Sequence, residues 1–278
     1  MTEARRVDRT TLGSLLEGHD VVVNAAGLAT PSAPAGPELF GANAMLPAVA
    51  ALAAADAGAS RFIHLSSAAV QGRSAVLDES ADTHPFSPYS LSKALGEPAL
   101  DLVGREAHGE QALHTPAAEH AAPETVVVRA TSVQGAGRPT TAALVRLAQS
   151  RLATVASPGT ASSPVTSVEA LADLVLALGQ FDGALPARVL QPWEGLTVRS
   201  VLDAAGGRPR MLPRTLCRLM VSGGYGASTV LGGRLDGQVR RAELLWFGQE
   251  QVRGWATENG IAPTPRVRDV LASAAATR

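Results

Sequence analysis

Tyr89 and Lys93 stand four residues apart in the stretch Ser87-Pro-Tyr-Ser-Leu-Ser-Lys93. The surrounding segment, Pro88 to about Ala107, reads as a helix kinked at Pro98, so the two side chains share one helical face. An ammonium held near a phenol favours the phenolate and lowers its pKa from about 10. A tyrosine tuned in this way can serve as a general base near neutral pH. The spacing alone is weakly specific, because ordinary helix-surface residues also fall at it. Two serines, Ser66 and Ser67, close the predicted strand Arg61-Phe-Ile-His-Leu-Ser-Ser67. A hydroxyl there can hold a substrate oxygen against the tyrosine, or it can simply serve the turn that follows. His64 reads as a strand residue with no assigned role.

The elements that must position these groups are legible upstream and downstream. Thr10 to Gly18 reads as a short helix with Leu12, Leu15 and Leu16 as its stripe. Asp20-Val-Val-Val-Asn24-Ala-Ala-Gly27 reads as a short strand buried on both faces, the kind found in helix-covered parallel sheets. Ala25, Ala26 and Gly27 then form either a tight strand exit or a surface that a flat ring or sugar can approach. Thr30 to Pro37 is a loop by composition. Glu38 to Asp56 reads as a helix kinked at Pro47. Asn43 within it is either a solvated residue or a buried amide that braces the strand ends. Thr125-Val-Val-Val-Arg129 is a further buried strand, Thr140 to Arg151 a helix, and Ser167 an N-cap.

Bulk properties narrow the class. The 278 residues carry 24 basic and 25 acidic side chains, a formal net charge of −1, which predicts no nucleic-acid or membrane partner. Hydrophobic residues make up 46% and aromatics 4%, so the core is built from Ala, Val and Leu. The single cysteine, Cys217, excludes an internal disulfide and fits a reducing cytoplasm. No apolar run reads as approaching the roughly 18 residues of a membrane span. His108, His114 and His120 lie six apart in an alanine-rich stretch; this is poor metal geometry and reads as an insertion loop, so no metal site is expected.

In order, the chain presents a strand with Asn-Ala-Ala-Gly, a helix with Asn43, a strand with Ser-Ser, and Tyr-x-x-x-Lys. This order resembles the extended short-chain dehydrogenase/reductase family, the NAD-dependent epimerase/dehydratase group, from about Asp8 to Val175. The resemblance implies a Rossmann-like, doubly wound parallel α/β sheet over residues 1–180 and a small mixed substrate subdomain over 181–278, with some substrate elements from 134–165. It implies Tyr89 as acid/base, Lys93 as the group that tunes the tyrosine and bonds the cofactor ribose, and Ser67, three before Val70, as the active serine. Ala25, Ala26, Gly27 and Val133 would line NAD or NADP, and Arg138 would face substrate or stand exposed in its loop. Asn43 and Glu97 fit the pattern, Glu97 in a structural role.

The implied activity is oxidoreduction at a hydroxyl or keto carbon of a sugar nucleotide or similar small molecule. Ala68-Ala69 stand where a dehydratase carries an Asp-Glu pair, so epimerisation or keto reduction is preferred. A homodimer through the helices of Asn43 and Tyr89 is also implied.

The resemblance is incomplete at the N-terminal side. The family's Gly-x-x-Gly-x-x-Gly turn, whose amides hold the pyrophosphate, is not found in this sequence. Late initiation, a completing partner or a degenerate homologue would each account for that. Without the turn, Val21 to Val23 are expected to form an open sheet edge. The rival function is a non-catalytic binding or regulatory protein that keeps the fold. Further on, Arg208-Pro-Arg-Met-Leu-Pro-Arg214-Thr-Leu-Cys-Arg218 is either a phosphate-binding wall or a solvated face. Gly223 to Gly237 reads as a mobile lid or linker, and Arg240 to Glu258 as an amphipathic helix broken at Gly248.

Overall fold

The computed structural model describes residues 8–30, 33–107, 122–261 and 263–277. The three histidines of the predicted insertion loop lie outside them. Elements run in the order α1 (Arg9–Leu16), β1 (Val21–Asn24), α2 (Pro37–Phe40), a π-helical turn (Gly41–Met45), α3 (Leu46–Asp56), β2 (Arg61–Ser67), β3 (Val76–Leu77), α4 (Pro88–Ala107), β4 (Glu124–Ala130) and β5 (Ser132–Gln134). Then follow α5 (Pro139–Ala148), β6 (Thr154–Ala156), β7 (Val165–Ser167), α6 (Val168–Gly179), β8 (Arg188–Leu190), α7 (Val198–Ala204), β9 (Arg210–Leu212), α8 (Arg214–Val230), α9 (Asp236–Phe247), β10 (Glu250–Gln251), α10 (Trp255–Glu258) and α11 (Val267–Ala276).

The chain divides into two compact units. The first comprises Met1–Val70, Ser87–Arg129 and Ala177–Val189. Its centre is a four-stranded sheet in the order β1-β2-β4-β8. β1 and β2 are parallel, with Val22 opposite Phe62 and Asn24 opposite His64, and the helical crossover between them is what parallel pairing requires. Phe62, Ile63, Val126 and Val128 are fully buried, as the continuous apolar runs predict. On one face Ala50, Ala51 and Ala54 of α3 pack with Leu100 and Val103 of α4. This is an alanine core, and its small side chains let helices come close to the strands.

Among the described residues β1 pairs only with β2, and Val23 is 44% exposed, as expected of an open edge. The helical stretch Pro37–Asp56 corrects the expectation about membrane spans. An 18-residue window within its 20 residues has a mean hydropathy of 1.4, long and apolar enough to cross a bilayer by length and composition. Helix α2, the π-helical turn and α3 follow one another without a break. Its Ala51, Ala53 and Ala54 are fully buried in the first unit.

The second unit comprises Gln71–Phe86, Ala130–Leu176 and Leu190–Arg278. It holds three two-stranded sheets, β5-β7, β6-β9 and β3-β10. Its core gathers Val145, Val155, Val165, Val201, Leu202 and Leu271. Ser167 caps α6, its Oγ accepting from the Ala170 amide at 3.0 Å, as predicted.

The predicted glycine-rich lid is instead α8, helical to Val230. Glycine's poor helix propensity, about 1 kcal/mol per residue, is outweighed by packing. A Cβ on Gly224 would meet Val239 Cγ2 of α9 at 3.0 Å, so the glycine is what lets the two helices approach. The predicted break at Gly248 is present, with φ at 65°.

Candidate active site

The amino end of α4 is fixed by a reciprocal pair of serines. Ser87 Oγ accepts from the Ser90 amide at 3.2 Å, and Ser90 Oγ accepts from the Ser87 amide at 2.9 Å. Pro88, lacking an N–H, begins the helix at no cost. The cap sets where the first turn starts, and so where Tyr89, half-buried, and Lys93 point.

Lys93 is 5% exposed. Its Nζ donates to the Leu65 carbonyl at 3.0 Å, near the carboxyl end of β2 and two residues before Ser67. It also lies against the turn after β1, because a Cβ built on Gly27 would fall 3.3 Å from Nζ. Gly27 has a φ of 144° and would also drive a Cβ to 2.7 Å from Asn43 Oδ1, so only glycine fits there. The amine therefore sits between the carboxyl ends of two parallel strands, where ligands of such sheets bind. Burial pushes its pKa down to about 8, and the negative charge of Glu97 opposes that shift.

Asn43 is fully buried and is the brace rather than a solvated residue. Its Oδ1 accepts from the Leu28 amide at 2.9 Å. Its Nδ2 donates to the Leu28 carbonyl and to Ser92 Oγ, each at 3.0 Å. Ser92 Oγ in turn donates to the Tyr89 carbonyl at 2.8 Å. One amide thus ties the exit of β1 to the turn of α4 that carries Tyr89. Asn43 occupies the π-helical turn, a distortion common at functional sites. Pro47, four residues on, has no N–H to offer the Asn43 carbonyl. That carbonyl faces Gly96 of α4, where a Cβ would come within 2.6 Å. Gly96→Ala is therefore expected to force α3 and α4 apart at a cost of about 1–3 kcal/mol. Chemical denaturation of the two proteins measures it; an unchanged midpoint would contradict this packing.

Two buried clusters support the rim. His64, on β2, is fully buried. The Ala26 amide donates to Asn24 Oδ1 at 3.1 Å, which leaves Asn24 Nδ2 to face His64 Nδ1 at 3.2 Å. His64 therefore accepts at Nδ1 and carries its proton on Nε2. Burial first, and the Lys93 charge second, push its pKa down to about 3, so it stays neutral. His64 thus holds the Ala25–Gly27 turn through Asn24. Nothing in its sequence context signals this, because the partner lies 40 residues away on the next strand.

The other cluster is Glu97, 1% exposed. It accepts from Ser66 Oγ at 2.8 Å and from Arg129 Nη2 at 2.7 Å. Arg188 Nε lies 3.4 Å from the same carboxylate and Arg188 also pairs with Asp101. A buried pair of this kind is costly to break from one side, about 3–5 kcal/mol. It clamps the end of β2 to α4 and β4, and so fixes the strand from which Ser67 projects. Ser66 is thereby committed to structure. Ser67 is half-buried, and its Oγ accepts from the Ala69 amide at 3.2 Å.

The first unit thus brings Lys93, Gly27 and Asn43 together, with Ala25 and Ala26 in the same turn and Ser67 at the neighbouring strand end. Val133 and Arg138 belong to the second unit. Val133 lies on β5 opposite Thr166 of β7, and Arg138 stands at the N-cap position of α5 without a side-chain capping bond.

A mostly parallel α/β sheet with a buried lysine at its carboxyl rim is a Rossmann-like arrangement. The model of the NAD dependent epimerase/dehydratase family matches residues 1–186, and the chain belongs to that family. Among solved structures, UDP-glucuronic acid 4-epimerase from Bacillus cereus in complex with NAD is 18% identical, with a TM-score of 0.61 over 94% of this chain and 74% of that one. A dTDP-glucose 4,6-dehydratase double mutant from Streptomyces venezuelae with NAD bound is 18% identical, with a TM-score of 0.59 over 97% and 76%. dTDP-4-dehydrorhamnose reductase from Bacillus anthracis in complex with NADP is 15% identical, with a TM-score of 0.58 over 95% and 84%. At these identities the likeness establishes the fold. No curated protein matches the chain.

Proposed function

We propose that the chain is an NAD(P)-dependent oxidoreductase or epimerase acting at a hydroxyl or keto carbon of a sugar nucleotide. The observation that carries this reading is the buried Lys93 amine, held at the Leu65 carbonyl and against Gly27, one helical turn from Tyr89. The nicotinamide-ribose half of NAD or NADP fits this rim. Ala25, Ala26 and Gly27 offer backbone without bulk, and Lys93 offers donors to ribose hydroxyls. When bound, the nicotinamide supplies the hydride acceptor or donor.

In this reading Lys93 lowers the pKa of Tyr89, and the Tyr89 phenolate takes the substrate hydroxyl proton or its phenol returns it. Ser67 donates a hydrogen bond to the reacting oxygen and holds it at the phenol. Asn43 and His64 act on position alone. Ala68-Ala69, after Ser67, supply no carboxylate for removing water, which favours epimerisation or keto reduction over 4,6-dehydration.

The test supplies NAD, NADH, NADP and NADPH in thermal-shift assays, then a panel of UDP- and dTDP-sugars including UDP-glucuronic acid. Products are read by NMR and nicotinamide redox state by fluorescence. The expected result is stabilisation by a nicotinamide dinucleotide and conversion of at least one sugar nucleotide. Absence of both would overturn the enzyme reading in favour of a binding protein.

We further propose that the first unit pairs with a second copy through α4. Leu91, Leu95 and Leu102 of α4, and Met45 of the π-helical turn, are exposed. Unpartnered apolar side chains on one helix are interface candidates. Leu95→Glu is expected to convert a dimer to a monomer in light-scattering mass measurements; an unchanged mass would count against this face.

A further inference from the structure

Helix α8 is apolar on two sides. At about 100° per residue, Cys217, Val221 and Ser228 fall on one face, and all three are buried. Leu216, Leu219, Met220, Gly223, Ala227 and Val230 fall on an arc of roughly 120° turned away from it. The large members of that arc face solvent: Leu219 is 70% exposed and Val230 86%. Leu231, in the turn that follows, is also exposed. Arg218, Ser222 and Thr229 occupy only the strip between the two faces.

The charge on and flanking this helix in the sequence is one-sided. Between Asp203 and Asp236 the sequence has Arg208, Arg210, Arg214, Arg218 and Arg234 and no aspartate or glutamate. Arg214 lies over the Phe247 ring, 5.1 Å from its centroid. Among the described residues Arg208, Arg210, Arg218 and Arg234 form no ion pair. The acids of the packed helix α9 are already engaged, by arginines outside α8 and by hydroxyls on the inner side of α8. Asp236 pairs with Arg73 and accepts from Ser228, and Glu243 pairs with Arg240 and accepts from Tyr225. The near-zero net charge of the whole chain conceals this local excess.

We infer that the outer face of α8 is a docking surface for an anionic lipid bilayer. The apolar arc would enter the boundary between headgroups and acyl chains, with the arginines at the level of the lipid phosphates. The charge pattern selects this occupant over a second copy. Pairing α8 with itself would bring arginine against arginine with no carboxylate on the face to offset it. No catalytic residue proposed above lies on α8.

The experiment is vesicle flotation of the full chain. One set of vesicles is phosphatidylcholine alone, the other phosphatidylcholine with phosphatidylglycerol. The chain is expected to float with the anionic vesicles and to partition far more weakly to the neutral ones. Arg218→Ala should lower partitioning to anionic vesicles about fivefold, the usual effect of one basic residue near such a surface. Leu219→Glu and, separately, Val230→Glu should each lower it at least about tenfold. Both positions are exposed, so the variants keep the wild-type circular dichroism spectrum and melting midpoint. Failure of the wild type to float would overturn the proposal, as would undiminished flotation of both glutamate variants. A lower solution mass for Leu219→Glu than for wild type would also overturn it, by assigning the face to a second copy.

Discussion

Tyr89→Phe is expected to lower turnover about 10³-fold while leaving dinucleotide affinity and the melting midpoint near wild type. The substitution removes the phenol oxygen, which on the proposed function moves the proton, and general acid–base groups contribute roughly 10²–10⁴-fold. The ring stays, so the first turn of α4 keeps its packing. The Tyr89 contact that holds the Asn43–Ser92 chain is made by its backbone carbonyl, which the variant retains. Steady-state kinetics on the substrate found in the panel, alongside dinucleotide titration, measure both quantities. Turnover within a few-fold of wild type would remove Tyr89 from the chemistry.

Lys93→Met is expected to abolish most turnover and yet stabilise the fold. The ammonium is buried, and its pKa falls from 10.5 to about 8. That difference corresponds to roughly 3 kcal/mol against the folded state at neutral pH. Losing the hydrogen bond to the Leu65 carbonyl returns about 1 kcal/mol of it, which leaves a gain of about 2 kcal/mol. The pH window follows from the direction of the shift. The unfolded lysine holds its proton up to about pH 10.5 and the folded one only to about pH 8. Between those values the unfolded chain binds more protons, so wild-type stability rises with pH. Below pH 8 both forms are charged and the full cost is present. The advantage of methionine is thus constant below about pH 8 and vanishes by about pH 10.5. Denaturant melts of both proteins across this range test it. A variant less stable than wild type at pH 7 would mean that Lys93 is held for structure. Sites that destabilise the fold while serving function are expected of enzymes.

Much of the first unit was legible because its physics is local. The run Thr125 to Arg129 reads as a buried strand, since a strand covered on both faces has no polar alternation. Val21 to Val23 is a strand as read, but not one covered on both faces, because Val23 is 44% exposed at the sheet edge. Ser87-Pro88 marks the start of α4, and the Tyr89–Lys93 spacing follows from helical geometry alone. The illegible parts are those decided by distant partners. Asn43 could be solvated or buried until Leu28 and Ser92 were placed beside it. His64 carries no mark of its contact with Asn24 on the neighbouring strand. Gly223 to Gly237 reads as a lid or linker because propensity is a local quantity, whereas the proximity of Gly224 to Val239 belongs to tertiary structure. The basic run Arg208 to Arg218 is plain in the sequence, but the exposed apolar face of α8 beside it is set by which side the helix packs.

The chain has two tyrosines, Tyr89 and Tyr225, which makes phenol ionisation readable by ultraviolet difference titration. Burial and the neighbouring Glu243 raise the pKa of Tyr225, so it titrates late. With Lys93 beside it, Tyr89 is expected to titrate early, below the ordinary value of about 10. Tyr89→Phe is expected to delete the early step and Lys93→Met to move it upward. A Tyr89 that ionises at or above the ordinary value, and does not respond to loss of Lys93, would remove the lysine from any role in tuning the phenol.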